Sequence, residues 1–320
     1  MIRARTRIAL RVVAFAVLTA LLVIAFRTIN WPRLTQSLHE AHLPWLVAAA
    51  VGFIAILPLW AAEWMILAPE RARPSFRTML DVVALTSSAL NTTAFLIGEA
   101  TGVTLLVSRA GLSRPAALSV LAMDQLLVGI AKLAVLGAAA LALPLPDWMR
   151  GGIASLSVAV ALLLAISLAG AWRFETLAPR MSHLLDGRVA RAVTRAGEAL
   201  APLRSPQRSS AAIALALAKK AVEVGAIVCV QRAFGPDLHL GAAILVLGAL
   251  NLSTLVPLVP GNLGVYEATV ALIYTSLGVP VDRALAMAVV QHACYFAALA
   301  LPGYVVLGLS ATERRTAAVS

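Results

Sequence analysis

Two carboxylates stand where a membrane chain can least accommodate them. Glu99, in Gly98-Glu99-Ala100-Thr101, and Glu267, in Tyr266-Glu267-Ala268-Thr269, each lie in a long apolar stretch just after a break in its helical pattern. Placing an ionisable group at bilayer depth costs about 2.5–3.5 kcal/mol on insertion scales, so such groups face a cavity, pair with another group or carry protons. At the start of a half-helix the free N–H groups and the positive end of the dipole also favour a carboxylate. Each acid is therefore either a helix cap or a site for a headgroup or a proton. Pro257, Pro260, Gly261, Asn262 and Gly264 precede Glu267. The prolines remove backbone donors and the glycines allow positive φ and close backbone approach. Residues Leu255–Val265 carry no charge, which suits a buried break better than a solvated turn. Asn91 and Asn251 come shortly before the two breaks.

Further polar residues lie on the apolar segments around them. Asp124 and Lys132 are two turns apart on one helix face, too far to pair with each other. Partners elsewhere are expected, Glu99, Glu267 or His292 among them, in a structural pair or a transport role. His292 by itself reads as a hydrogen-bonded interior histidine before it reads as a ligand. Glu63, between Trp60 and Trp64, reads as a boundary residue in an interfacial aromatic belt. Glu223 is expected to pair with Lys219 at i,i+4. Cys229 and Cys294 sit in apolar runs as small hydrophobes. There is no metal-ligand spacing, nucleophile elbow or phosphate-cradling loop, so neither a metal nor a cofactor nor covalent enzyme chemistry is expected.

The elements that must position these residues are helices in a bilayer. Of 320 residues, 61% are hydrophobic and 13% charged, against about 25% charged in a soluble domain. Ile8–Phe26, Trp45–Leu67, Pro115–Leu143, Gly152–Trp172, Ser210–Val230 and Ala284–Leu309 are each long enough to cross about 30 Å of hydrocarbon. The fold class is an all-α, polytopic transmembrane helix bundle forming a single membrane domain over 1–320. The net charge of +11 comes from arginines between the apolar runs. They lack the interleaved aromatics of a nucleic-acid surface and serve as topology signals.

Those signals place the N-terminus, with Arg3, Arg5, Arg7 and Arg11 before an uncleaved first helix, in the cytoplasm. The connector with Arg71, Arg73 and Arg77, the basic connector 173–209 and the C-terminal Arg314 and Arg315 fall on the same side. Within the connector, Arg188, Arg191 and Arg195 share a stripe opposite Val189, Ala192, Ala196 and Leu200, a pattern suited to an anionic leaflet. The stretches Thr78–Ala110 and Leu240–Leu277 do not fit simple crossings. Each reads as a re-entrant, broken-helix hairpin, the first interrupted near Gly98-Glu99 and the second at Pro257–Gly264. Irregular backbone at that depth needs protein or a wet cavity around it.

The two stretches also resemble each other. Aligning Gly98–Gln125 with Tyr266–His292 superposes Glu99-Ala100-Thr101 on Glu267-Ala268-Thr269, Gly111 on Gly278, Ala117-Leu118 on Ala284-Leu285, and Asp124-Gln125 on Gln291-His292. An odd number of crossings separates the copies, so halves 78–172 and 210–309 would be inverted, with hairpin tips meeting near the midplane. Transporters place substrate sites at such interfaces.

Val256–Leu272, VPLVPGNLGVYEATVAL, resembles the proline-glycine segment of the lysylphosphatidylglycerol synthase transmembrane-domain family, and Asn91–Glu99 is similar to its earlier Gly-Glu segment. The chain departs from the family pattern at Gly102, Asn262 and Tyr266, where the family commonly carries arginine, glycine and arginine. The resemblance implies a stand-alone, flippase-like module of a bacterial inner membrane. It would translocate or handle a lipid, anionic or isoprenoid in type, at a polar midplane site. Two other classes compete: an intramembrane lipid-modifying enzyme, although the chain has no room for the family's synthase domain, and a non-catalytic scaffold with a dry, packed hairpin region.

Overall fold

A computed structural model describes residues 31–69, 74–162, 165, 205–235, 238–254 and 260–319. The first apolar run, Arg71 and Arg73, the later part of Gly152–Trp172, the basic connector through residue 204, including its arginine stripe, and Pro257 lie outside the described residues. In chain order the helices are α1 (Trp31–His39), α2 (Leu43–Leu67), α3 (Phe76–Thr92), α4 (Phe95–Ser108), α5 (Arg114–Ala142), α6 (147–162), α7 (Pro206–Ala233), α8 (Leu240–Ser253), α9 (Val265–Ser276) and α10 (Val281–Val319). A short 3-10 turn at Pro260–Asn262 precedes α9. There is no strand among the described residues.

Among the described residues three helices are long and apolar enough to cross a membrane: Leu43–Leu67, Arg114–Ala142 and Val281–Leu309, with mean hydropathy 2.1, 1.9 and 1.8. At 1.5 Å per residue the shortest of them spans about 37 Å. Their starts follow ordinary capping chemistry. Ser113 accepts from the Ala116 N–H ahead of α5, with Pro115 in the first turn, where a missing N–H costs nothing. Leu43, Val47, Val51 and Ile54 on α2 and Leu301, Val305 and Leu309 on α10 are exposed apolar side chains, as lipid-facing surfaces require.

α7 is as long, at 28 residues, but carries Lys219, Lys220 and Glu223 in its middle. Those side chains turn toward the bundle, while Ile213 and Leu217 face outward. α7 packs most extensively on α2. There Gly52 lets the backbones approach, since a Cβ at that position would sit 3.1 Å from the Ala226 Cβ.

The remaining apolar helices are short. α3 has 17 residues, α4 and α8 have 14 and α9 has 12, so they reach only about 18–26 Å and none crosses alone. They pack as consecutive pairs, α3 with α4 and α8 with α9. α3 ends in a polar terminus whose side chains bond back to its own carbonyls. Asn91 donates to the Ser87 carbonyl, Thr92 to Ser88 and Thr93 to Ala89, at 2.7–2.8 Å. The break falls at Thr93–Ala94, five residues earlier than the Gly98-Glu99 position expected from sequence. Gly98 is helical and buried. Its lack of a side chain is needed for packing, because a Cβ there would stand 2.8 Å from the Leu90 Cα, where α4 folds back on α3.

α10 contains Pro302 and passes close to α3. Ser88 bonds the α10 backbone on either side of the proline, with its hydroxyl bonded to the Ala300 carbonyl and accepting from the Gly303 N–H at 3.1 Å. A proline is tolerated in a spanning helix when a neighbouring hydroxyl satisfies the freed groups in this way. The short helices α4 and α9 end alike. Gly111 (φ 72°) and Gly278 (φ 86°), superposed in the sequence alignment, both take the left-handed conformation, and a long helix starts three residues later in each case.

Candidate functional site

The two breaks come together. Gly261, in the turn before α9, lies against the end of α3, so that a Cβ there would stand 2.9 Å from the Asn91 carbonyl and 3.3 Å from the Phe296 ring. Its φ of 64° and that of Asn262, 53°, are left-handed, which glycine and asparagine adopt most readily. Pro260 opens this turn, and Asn262 is half-buried within it. Gly264 (φ 84°) caps α9.

Glu267 is a cap that also pairs with a neighbouring side chain. Its Oε2 accepts from the Gly264 N–H at 2.7 Å, a cap, while Oε1 lies 2.7 Å from Nδ1 of His292 on α10. Tyr266 stacks on the His292 ring at 4.2 Å between centroids, and its hydroxyl accepts from Gln291 at 2.9 Å. The Tyr274 hydroxyl donates to the Gln291 Oε1 at 3.3 Å. His292 is thus an interior, hydrogen-bonded histidine, 4% exposed along its side chain, with a half-buried carboxylate as its partner.

Glu99 is not a cap. It is the fifth residue of α4, past the free N–H groups, and its Oε1 accepts from Gln125 of α5 at 2.9 Å. The correspondence with Glu267 lies in the partner: each acid on a short helix bonds the next long helix, at the aligned positions Gln125 and His292.

Asp124 finds partners other than those expected. The indole N–H groups of Trp60 and Trp64 both donate to its Oδ1, at 2.9 and 3.0 Å, and Lys219 Nζ lies 3.8 Å from the same oxygen. Lys219 also reaches Glu63 Oε2 at 2.9 Å and sits 5.6 Å from the Trp60 ring centroid. Two sequence expectations are corrected here. Glu63 is no boundary residue but fully buried, and Trp60 and Trp64 are donors to a buried acid as much as belt residues. Lys219 does not pair with Glu223. Lys220 does, at 2.7 Å, and also reaches the Asn251 Oδ1 at 3.3 Å. Adjacent residues on a helix diverge by about 100°, so one lysine of the doublet faces α8 and the other faces α2 and α5.

Lys132 of α5 lies within electrostatic range of Lys220 and Glu223, not of Asp124. Asn251, buried on α8, has no hydrogen-bond partner for its Nδ2 among the described residues. Glu63, Lys219, Lys220 and Glu223 were not among the residues picked out from sequence as site candidates. The signal was the Lys219-Lys220 doublet within an apolar run, since two ammoniums at that depth require inward partners.

No group of three or more metal-ligating side chains occurs among the described residues. Residues 9–303, nearly the full length, match the family described as the lysylphosphatidylglycerol synthase TM region. No curated protein and no solved structure gives a match.

Proposed function

Because the chain belongs to the lysylphosphatidylglycerol synthase TM region family, we propose that this multi-pass membrane protein moves a lipid between leaflets as a flippase-like transporter. The observation that carries the reading is the meeting of two helix breaks at Asn91 and Gly261, each followed by a short helix whose acid bonds a long one. Read as re-entrant hairpins entering from opposite faces, α3–α4 and α8–α9 would put their irregular backbone, and the half-buried Asn262, at a shared midplane site. The paired turns at Gly111 and Gly278 support an internal repeat, and inversion of its copies is part of the proposal.

In this reading the lipid headgroup enters between the hairpins while its chains stay in the bilayer. The polar side chains of Glu99, Gln125, Glu267, His292 and Asn262 replace part of its hydration. Such a step breaks no covalent bond and calls for no cofactor. The positive-inside pattern supports both termini in the cytoplasm, and the family resemblance implies a bacterial inner membrane.

The test is translocation of fluorescent phosphatidylglycerol in vesicles reconstituted with the full chain. Glu99→Gln and Glu267→Gln should each lose most of the activity while keeping helical content and monodispersity. Wild-type rates in both variants would remove the hairpin acids from the mechanism.

A further inference from the structure

The cluster where α2, α5 and α7 meet is separate from the paired acids of the short helices, and its charges do not balance. Two carboxyls, Glu63 and Asp124, surround one ammonium, Lys219, with side-chain exposures of 0%, 4% and 10%. An uncompensated charge at such a place is far costlier than a neutral set. The contacts show where the imbalance lies. Asp124 is amply served by two indole donors and the ammonium. Glu63 has Lys219 at ion-pair distance from Oε2, but its Oε1 is offered no donor by any described residue. The Glu63 and Asp124 carboxyls share one ammonium, with Lys219 Nζ 2.9 Å from Glu63 Oε2 and 3.8 Å from Asp124 Oδ1. Two ionised carboxylates in that position would repel, whereas one proton between them satisfies the orphan oxygen, removes the repulsion and leaves a neutral trio.

We infer that Glu63 and Asp124 form a buried proton-binding site, holding one proton between them beside Lys219 and exchanging it with the exterior through Glu99. Among the described residues Lys219 of α7 and Asp124 of α5 are the charged groups gathered with Glu63, and Glu99 of α4 is bonded to Gln125, the residue after Asp124 on α5. Glu99 is half-buried and bonded to the exposed Gln125, so it is the acid on this side of α5 that has access to the surface. Proton transfer here is a relay between carboxyl oxygens: Glu99 delivers a proton to Asp124 or Glu63, and the conjugate base left on Glu99 is reprotonated from water. The site exists whether or not a lipid moves.

Infrared spectroscopy of the purified full chain in nanodiscs at neutral pH tests it without any lipid being transported. A protonated-carboxyl stretch should be present in the wild type and downshift in heavy water. It should be lost in Glu63→Gln and altered in Asp124→Asn. Glu99→Gln should retain the band but slow its deuterium shift about 100-fold, the scale on which a positioned acid–base group acts. Absence of a protonated carboxyl in the wild type, or a band unchanged in both cluster variants, overturns the site. An unslowed shift in Glu99→Gln overturns the route. Should either cluster variant fail to fold, selective carbon-13 labelling of glutamate or aspartate carboxyls in the wild type assigns the band instead, and a band that moves with neither label overturns the site.

Discussion

Lys219 Nζ and Glu63 Oε2 lie 2.9 Å apart, and the pair ties the two helices that share the broadest contact in the bundle, α7 and α2. The neighbouring Asp124 makes the ammonium indispensable and the second acid's charge expendable, and the two substitutions should therefore differ. Lys219→Met leaves buried acid without its counter-charge and should cost about 3–5 kcal/mol, read as a lowered thermal midpoint in detergent. Glu63→Gln keeps Lys219 opposite Asp124 and should cost under about 1 kcal/mol. Equal losses in both would mean that Glu63 is ionised and serves only as a salt-bridge partner.

Gly98 is a packing position, not a hinge. Gly98→Leu would drive a side chain into the Leu90 backbone and force α4 off α3, at a cost of about 1–3 kcal/mol or more. A stability scan should show a larger loss here than for the same substitution at Gly137, where nothing lies within 4 Å of an added Cβ.

Ser88→Ala removes the hydroxyl that serves the backbone beside Pro302. The Gly303 N–H and the Ala300 carbonyl then lose that buried bond, a loss of about 0.5–1.5 kcal/mol. Pro302→Ala should rescue most of it by closing the α10 ladder. A double-mutant cycle on the thermal midpoints measures this, and strictly additive effects would contradict the proposed relationship.

Glu267 and His292 should be energetically coupled by about 0.5–3 kcal/mol, measured by a cycle of Glu267→Ala and His292→Ala. Glu267→Ala alone should cost more than His292→Ala, because it also removes the α9 cap at Gly264, worth about 1 kcal/mol.

Water access distinguishes transport from scaffolding. With Cys229 and Cys294 replaced by alanine, a cysteine at Asn262 should react with a membrane-impermeant maleimide, and one at the lipid-facing Leu272 should not. Protection at both positions would favour a dry, packed hairpin region.

Much of this was legible before any coordinates. The long helices, the short pairs and the matching of Gly111 with Gly278 and of Gln125 with His292 follow from hydropathy, break residues and the internal alignment. These are properties of adjacent or aligned residues, whereas the left-handed turns at the two glycines and the bonds from Gln125 to Glu99 and from His292 to Glu267 came only with the tertiary structure. Where local rules competed, reading the chain went wrong. α3 ended at its Thr/Asn run before Gly98, and Gly98 stayed helical, because a glycine weakens a helix without obliging it to stop. The i,i+4 rule chose Lys219 for Glu223, when i,i+3 with Lys220 was equally near.

The sequence by itself determined that this is a membrane bundle with two interrupted, acid-bearing segments, because a bilayer penalises every charge and every unpaired backbone group and so leaves a plain record in composition. Only the tertiary structure decided which charges meet. Glu63, Asp124 and Lys219 are at least sixty residues apart from the first to the second and ninety more to the third, on three helices. No local periodicity encodes the rotation and depth at which those helices pack, which is why the deepest cluster of the protein was the part its sequence concealed.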